Sequence, residues 1–265
     1  MKLGIAPLDM ALPEGILRSS TIIISGPAGT GKSVILTHIS YSFLSRGEGV
    51  IYVTFDDSPD ALLELFKSFG WDPAEFVDKE LLNIVDGFSF RLGPLKKSIK
   101  GVVREVKPEE PDKILYTINE LLEDRKLDGR GCVIIDSLNE LMFKLDVTQV
   151  LEFVKSVRAI ISKGRRVATF LTLHTTTDAL AELRAHLEYL VDGLIETRIE
   201  PNLQEMGIPL KQLMVKKMRG VPTNPLWIPY VIVSDGIKLV DQSKLAALVK
   251  ARLKEAISGF QQGAT

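Results

Sequence analysis

The chain has 265 residues, of which 45% are apolar and 25% are charged, a balance typical of an ordinary globular protein. Lys and Arg number 33 and Asp and Glu 34, so the formal net charge of −1 provides no overall field for nucleic acid or a membrane surface. The single cysteine, Cys132, cannot form an intramolecular disulfide, which favours a reducing compartment. Without a signal-peptide core or a run of about 18 apolar residues, a cytoplasmic protein with no membrane span is expected.

The first part of the chain alternates short apolar runs with longer segments of helical period. This pattern is typical of an α/β fold in which helices flank a mostly parallel sheet. Because the runs are apolar at nearly every position, both faces of the sheet are expected to be buried. The expected strands span residues 21–25, 50–55, 81–85, 132–135 and 167–173, and the expected helices span residues 32–44, 58–69, 112–124, 147–163 and 178–189.

The chain changes character after residue 191. Four closely spaced segments, at 194–198, 210–217, 227–233 and 238–240, predict antiparallel strands that extend the sheet, with a hairpin turn at Asp235-Gly236. Apolar residues then recur at helical spacing and predict a closing amphipathic helix; they are Leu245, Leu248, Val249, Leu253 and Ile257. The whole chain, 1–265, is therefore expected to form a single domain, with an N-terminal segment over 1–20 and a C-terminal helix and tail over 241–265.

One segment carries a complete phosphate-binding motif. Residues 26–33 read G-P-A-G-T-G-K-S and lie between an expected strand and an expected helix, which is the context that the motif requires. Its glycines let backbone N–H groups turn towards a β-phosphate at the positive end of the helix. Lys32 is expected to contact the β- and γ-phosphates, and the Ser33 hydroxyl is expected to bind Mg²⁺. The predicted ligand is ATP, and the predicted contacts are Ala28, Gly29, Thr30, Gly31, Lys32, Ser33 and Val34.

Three carboxylates follow expected strands. Asp136 ends an apolar run, where a carboxylate is costly unless it faces a cation, and it is the expected second ligand of Mg²⁺. Asp56 and Asp57 close the strand at 50–55 and are expected at the same sheet edge as the phosphate loop. Because adjacent side chains point in opposite directions, one of the two, Asp57 or else Asp56, is expected to activate the attacking water. The alternative is a capping role for the helix that begins near Ser58.

The strand at 167–173 is followed by His174. A polar side chain at this edge of the sheet can donate a hydrogen bond to a γ-phosphate and so act as its sensor. A structural histidine that is satisfied by its neighbours is the other interpretation of the same residue. The sequence leaves both open.

Several motifs occur in a characteristic order. They are the phosphate loop, Thr54-Phe55-Asp56-Asp57-Ser58-Pro59, Ile135-Asp136-Ser137 and Lys216-Lys217-Met218-Arg219-Gly220. Together they resemble the KaiC-like branch of the RecA superfamily, and the opening Gly4-Ile5-Ala6-Pro7-Leu8-Asp9 and Asp86-Gly87-Phe88-Ser89 are also similar to that family. The resemblance extends to about residue 240 and covers one RecA-like domain.

The resemblance implies an ATPase that binds ATP at the subunit interfaces of a hexameric ring or a filament. It also implies that Lys217 and Arg219 contact the nucleotide of a neighbouring copy, with Arg219 as an arginine finger. The family usually has Glu-Glu where this chain has Asp56-Asp57, and the shorter side chains imply slow hydrolysis. The family's histidine after the Arg-Gly pair is absent, so base contacts from that segment are not expected.

Three roles are compatible with these features: a regulatory ATPase that signals to a protein partner, a recombinase-related protein that binds single-stranded DNA, and an ATP-binding scaffold with little hydrolysis. The DNA role depends on the segment between residues 91 and 107, which contains six cations and one acid. That segment lacks the interleaved aromatic residues of a single-strand binding surface, which favours a solvated loop. Its cations are Arg91, Lys96, Lys97, Lys100, Arg104 and Lys107.

Overall fold

The structure, a computed structural model, describes residues 1–262, with side chains described through residue 252. The strands are β1 (Thr21–Gly26), β2 (Val50–Thr54), β3 (Leu82–Asp86), β4 (Val102–Glu105), β5 (Cys132–Asp136), β6 (Ala168–His174), β7 (Gly193–Ile199), β8 (Lys211–Met218), β9 (Ile228–Val233) and β10 (Gly236–Leu239). Within the described residues they form one ten-stranded sheet in the order β10-β9-β8-β7-β1-β6-β5-β2-β3-β4.

The helices pack on both faces of this sheet. They are α1 (Ala6–Ala11), α2 (Lys32–Leu44), α3 (Pro59–Ser68), α4 (Pro73–Asp78), α5 (Pro111–Asp124), α6 (Leu138–Met142), α7 (Val147–Ser156), α8 (Asp178–Leu190), α9 (Pro201–Glu205) and α10 (Gln242–Gln262). Among residues 1–262, no helix is both long enough and apolar enough to cross a membrane.

Alternate residues of the central strands enter two separate cores. Ile22 and Ile24 of β1 are fully buried on one face, against α1, α2 and α3. Ile23 is fully buried on the other face, against α5, α7 and α8. This double burial explains why the strands are apolar at nearly every position, and it confirms the predicted α/β fold with its mostly parallel sheet.

The C-terminal strands differ from the prediction in one respect. β8, β9 and β10 are antiparallel to their neighbours, and the Asp235-Gly236 hairpin joins β9 to β10 as predicted. β7, however, is parallel to β1 and antiparallel only to β8. The prediction of an antiparallel strand at 194–198 was therefore wrong for its pairing with β1. The reason is α8, which supplies the crossover that a parallel connection from β6 requires.

The helix predicted over 147–163 changes its winding. It is α-helical to Ser156 and continues as a π-helical stretch, Val157–Gly164. The wider turn brings Ser162 into the core, where its hydroxyl accepts from Thr21 Oγ1 at 2.8 Å and donates to Thr169 Oγ1 at 2.9 Å. A periodicity argument cannot detect this change, because it assumes one pitch throughout.

The basic segment at 91–107 is more ordered than the expected loop. It includes part of a 3₁₀ turn, Ser89–Leu95, and the edge strand β4. β4 is short, partly exposed and charged, so its sequence gave little strand signal. Four of the six cations form ion pairs: Arg91–Glu140, Lys96–Glu105, Lys100–Asp78 and Arg104–Glu120.

The C-terminal helix α10 follows β10 directly. Leu245 and Leu248 face an apolar groove of about 470 Å³ that is shared with Val231 and Val233 of β9 and with Leu239 of β10. The side chains of Leu253 and Ile257, which were placed on the same helical stripe, lie outside the described residues.

Candidate functional site

Four neighbouring parallel strands end at one edge of the sheet. In the order β1-β6-β5-β2, they place the phosphate loop, His174, Asp136 and Asp56 side by side. Neighbouring strands lie about 4.8 Å apart, so polar groups on the four strand ends can share one ligand. The candidate site is therefore built by the carboxyl ends of parallel strands, where open α/β sheets bind their ligands.

The phosphate loop has a backbone that requires glycine. Gly26, Gly29 and Gly31 have φ values of 152°, 79° and 89°, a region that favours residues without a side chain. A Cβ on Gly26 would lie 2.2 Å from the carbonyl oxygen of Thr197 in β7. The loop therefore depends on glycine both for its turn and for its contact with the neighbouring strand.

Residues far along the chain hold the loop in place. The Thr30 hydroxyl lies 2.8 Å from the hydroxyl of Thr197, and the Tyr230 hydroxyl donates to the carbonyl oxygen of Thr30 at 2.6 Å. A Cβ on Gly31 would lie 2.7 Å from Cδ1 of Ile232, so β9 also packs against the loop. The loop is thus supported by β7, the parallel neighbour of β1, and by β9 in the antiparallel part of the sheet.

Lys32 is only 3% exposed. Its ammonium group donates to the carbonyl oxygens of Gly26 at 2.9 Å and Pro27 at 2.8 Å. Burial lowers the pKa of Lys32 to about 8, although the nearby carboxylates of Asp136 and Asp56 act in the opposite direction. The side chain is therefore a cation whose charge can be lost at mildly alkaline pH.

This lowered pKa predicts a pH dependence of nucleotide binding. Phosphate oxygens bind the charged form of Lys32. The affinity for ATP should therefore be highest and constant below about pH 8, and it should fall by up to about tenfold per pH unit above that value. Binding of a fluorescent ATP analogue from about pH 7 to about pH 10 measures this. Lys32→Arg is the control, because its guanidinium stays charged and its profile should be flat. Parallel profiles for the two proteins would contradict the assignment of Lys32.

Asp136 is buried and surrounded by hydroxyl groups. Tyr52 donates to Oδ2 at 3.1 Å and Thr172 donates to Oδ1, and the nearby Ser33 hydroxyl also acts to lower the pKa of this carboxylate. Burial raises the pKa of Asp136, and the hydrogen bonds oppose that shift. The Ser33 hydroxyl and the Asp136 carboxylate form a pair of adjacent oxygen donors, which is the chemistry that Mg²⁺ prefers.

The two acids after β2 have different surroundings. Asp56 accepts a hydrogen bond from the Ser137 hydroxyl on Oδ1 at 2.8 Å, and its Oδ2 lies 3.4 Å from Nε2 of His174. Asp57 is exposed, and its carbonyl oxygen accepts from the Thr54 hydroxyl at 2.7 Å. The structure thus places the carboxylate of Asp56 beside the other polar groups of the site.

The capping role considered for this pair belongs to the next residue. The Ser58 hydroxyl accepts from the backbone N–H of Ala61 at 3.2 Å and caps α3. Asp56 is therefore not needed as a cap.

Asn139 joins two of the strand ends. Its side-chain oxygen accepts from the backbone N–H of His174 at 2.8 Å, and its amide nitrogen donates to the His174 carbonyl oxygen at 3.3 Å. The backbone N–H of Asn139 in turn donates to the Ser137 hydroxyl at 3.2 Å. Ser137 and Asn139 therefore fix the positions of Asp56 and His174 relative to each other.

Lys217 and Arg219 cap the C-terminus of α8. Lys217 donates to the carbonyl oxygens of Glu188 and, at 2.9 Å, Val191, while Arg219 donates to the carbonyl oxygen of Tyr189 at 3.1 Å. Burial and the nearby Arg219 lower the pKa of Lys217. Cations at this end of a helix stabilise it through the helix dipole.

Both cations lie far from the phosphate loop of their own chain. The backbone of Arg219 bonds to Asp192, which bonds to Thr21 at the start of β1, whereas the phosphate loop follows Gly26 at its end. Five residues of extended strand span about 17 Å. Lys217 and Arg219 thus lie near the beginning of β1, whereas the phosphate loop lies at its end.

The sequence analysis did not identify the polar residues that lie inside the apolar strands of the site. Tyr52 and Thr172 are both buried, and each lies two residues before the end of its strand. A hydroxyl in an otherwise apolar run is the signal that could have identified them, because it needs a buried partner. Thr197 and Tyr230 gave no local signal, since their role depends on how β7 and β9 approach the loop.

Comparisons with known proteins find a matching family model and several relatives. The sequence model of a family described as "ATPase: KaiC" matches residues 1–244. A protein of Methanopyrus kandleri named "UPF0273 protein" is 26% identical over 260 residues, covering 95% of this chain and 96% of its own length. The UPF0273 protein of Pyrococcus furiosus is 28% identical over 248 residues, covering 89% and 92%.

A solved structure shares the fold. It is the crystal structure of a KaiC-like protein from Pyrococcus horikoshii, and it superimposes with a TM-score of 0.71 at 20% sequence identity. The match covers 91% of this chain and 98% of that protein.

Proposed function

Since the chain belongs to the KaiC ATPase family, whose members are RecA-like nucleotide-binding proteins, we propose that it hydrolyses Mg-ATP at an interface between two of its own copies. We further propose that the nucleotide state regulates a protein partner. The observation that carries the proposal is that the proposed catalytic groups lie at opposite ends of the parallel strands. The carboxyl ends of the strands carry Asp56, Asp136 and Lys32, and the amino ends lie near Lys217 and Arg219.

The phosphate loop binds the triphosphate. Its N–H groups and the N-terminus of α2 surround the β-phosphate, and rotation of the Lys32 side chain brings its ammonium group onto the β- and γ-oxygens. Ser33 and Asp136 would hold Mg²⁺, which supplies positive charge to the β- and γ-phosphates when bound. Tyr52 and Thr172 keep the Asp136 carboxylate in one orientation, because each donates to a different oxygen.

Asp56 is the general base in this proposal. The oxygen of a water attacks the γ-phosphorus, the bond from the γ-phosphorus to the bridging oxygen breaks, and the water proton passes to the Asp56 carboxylate. The Ser137 hydroxyl holds the carboxylate by donating to Oδ1, and Nε2 of His174 lies 3.4 Å from Oδ2. Asp56 is one methylene shorter than the Glu of the family pattern, which supports slow turnover and hence a regulatory role.

Lys217 and Arg219 act on the neighbouring copy. They neutralise charge on the transferring phosphoryl group, and only an assembled interface brings them there. A role in DNA binding has less support, because four of the six cations between residues 91 and 107 form ion pairs with acids.

The first test is phosphate release from ATP as a function of protein concentration. We expect turnover per chain to rise steeply with concentration, because a complete site needs two copies, and we expect Lys32→Ala to remove it. Strong stimulation by single-stranded DNA would favour the recombinase-like alternative. Nucleotide binding without turnover at any concentration would contradict hydrolysis and favour an ATP-binding scaffold.

A further inference from the structure

We propose that Tyr189 of one copy docks into an apolar groove beside the γ-phosphate position of the next copy. The proposal rests on the proposed function, because it takes from it the delivery of Lys217 and Arg219 to a neighbouring site. It adds a specific contact that orients the two copies.

The groove, which we call the Phe143 groove, has a volume of about 460 Å³. Its walls include Met142, Phe143 and Leu180, and it reaches Asp56 and Ala28 of the candidate site. Phe143 is 72% exposed although its ring is large and apolar. An exposed aromatic wall next to a reaction centre marks a surface that a partner can cover.

Tyr189 is the most exposed aromatic residue in the described part of the chain, at 80%. Its carbonyl oxygen accepts hydrogen bonds from Arg219 at 3.1 Å and from Lys217 at 3.5 Å. The ring and the two cations therefore belong to one rigid end of α8. A partner that contacts the two cations therefore also contacts the end of α8 that carries the ring.

The groove and the ring lie at opposite ends of the same helix. Leu180 lines the groove near the N-terminus of α8, and Tyr189 lies nine residues later, about 13 Å along the axis. The ring therefore cannot fill the groove of its own chain. A contact between the end of one α8 and the beginning of the next is head-to-tail, which generates a ring or a filament.

The charges on the two surfaces are complementary. The groove carries the carboxylates of Asp56 and Glu140, the latter paired with Arg91, and the Asp136 carboxylate lies at the same sheet edge. The docking end of α8 carries Lys217 and Arg219. Opposite charges favour this orientation over the reverse, while the aromatic ring supplies apolar burial at the centre of the contact.

Cross-linking between two cysteine variants tests the contact. Lys144→Cys lies next to Phe143, and His186→Cys lies one turn before Tyr189, so neither change removes a residue of the groove or the ring. The native Cys132 is fully buried, and burial raises the pKa of its thiol, so it does not compete for the reagent.

With Mg-ATP and a short bis-maleimide, mixing the two proteins should give a dimer of unlike chains. Lys113→Cys, exposed on α5, replaces His186→Cys in the matched control.

The role of the ring is tested by a second change in the His186→Cys protein. Tyr189→Ala should lower the cross-linking yield at least about tenfold, and Tyr189→Phe should retain it, because a central aromatic residue dominates such a contact. A yield no higher than the Lys113→Cys control, a yield unaffected by Tyr189→Ala, or a protein that sediments as a monomer with Mg-ATP would overturn the docking.

The failure of the docking and that of the proposed function give different results. If Arg219→Ala leaves turnover unchanged but the specific cross-link forms, the catalytic role of Arg219 fails and the docking stands. If turnover needs Arg219 from a neighbour but the cross-link does not exceed the control, the docking alone fails.

Discussion

Asp56→Asn is expected to lower the rate of ATP hydrolysis by about 10³-fold, because an amide cannot accept the proton of the attacking water. Asp57→Asn is the matched control and should change the rate by less than about threefold. Asp57 is exposed, and only its backbone carbonyl oxygen takes part in a hydrogen bond within the site region. Phosphate release under single-turnover conditions measures both variants.

ATP binding distinguishes a catalytic effect from a structural one. Asp56→Asn should bind the nucleotide with nearly unchanged affinity, since the amide is isosteric with the carboxylate and the phosphate loop is untouched. If Asp57→Asn loses turnover and Asp56→Asn keeps it, the assignment of the base is reversed.

Arg219→Ala is expected to lower turnover by about 10³-fold, which is the lower range for removal of an arginine finger. Lys32→Ala should be inactive for a different reason, because it cannot bind the β- and γ-phosphates. Each variant retains what the other lacks. Arg219→Ala keeps an intact phosphate loop, and Lys32→Ala keeps an intact arginine.

Mixing the two inactive proteins should therefore restore activity. In a random assembly of equal amounts, about a quarter of the interfaces combine an intact phosphate loop with an intact Arg219 from the neighbour. Phosphate release by the mixture should reach roughly that fraction of the wild-type rate. A mixture as inactive as its components, measured where the proteins assemble, would place Arg219 outside the neighbouring site.

The fold was predictable because its signals are local. The glycines and Lys32 of the phosphate loop, and the apolar runs before Asp56 and Asp136, can each be read from a few consecutive residues. The doubly buried strands confirm the predicted α/β class, since Ile22 and Ile23 enter different cores.

The orientation of side chains at the strand ends was not predictable from these signals. The sequence indicates that one of Asp56 and Asp57 faces the site, but the choice depends on how the chain leaves β2 and on Ser137. Ser137 follows β5, which lies beside β2 in the sheet but far from it along the chain. The direction of β7 depends on α8 acting as a crossover. Three of the four ion pairs of the segment at 91–107 depend on acids from other parts of the chain.

The support of the phosphate loop by β7 and β9 has a consequence for biosynthesis. Thr30 bonds to Thr197 and Tyr230, residues that leave the ribosome long after the loop itself. At synthesis rates of about 5–20 residues per second, roughly ten to forty seconds separate translation of the loop from translation of Tyr230. During that interval the glycine-rich segment lacks the contacts that shape it. A nascent chain should therefore be unable to retain ATP until β9 has been added to the sheet.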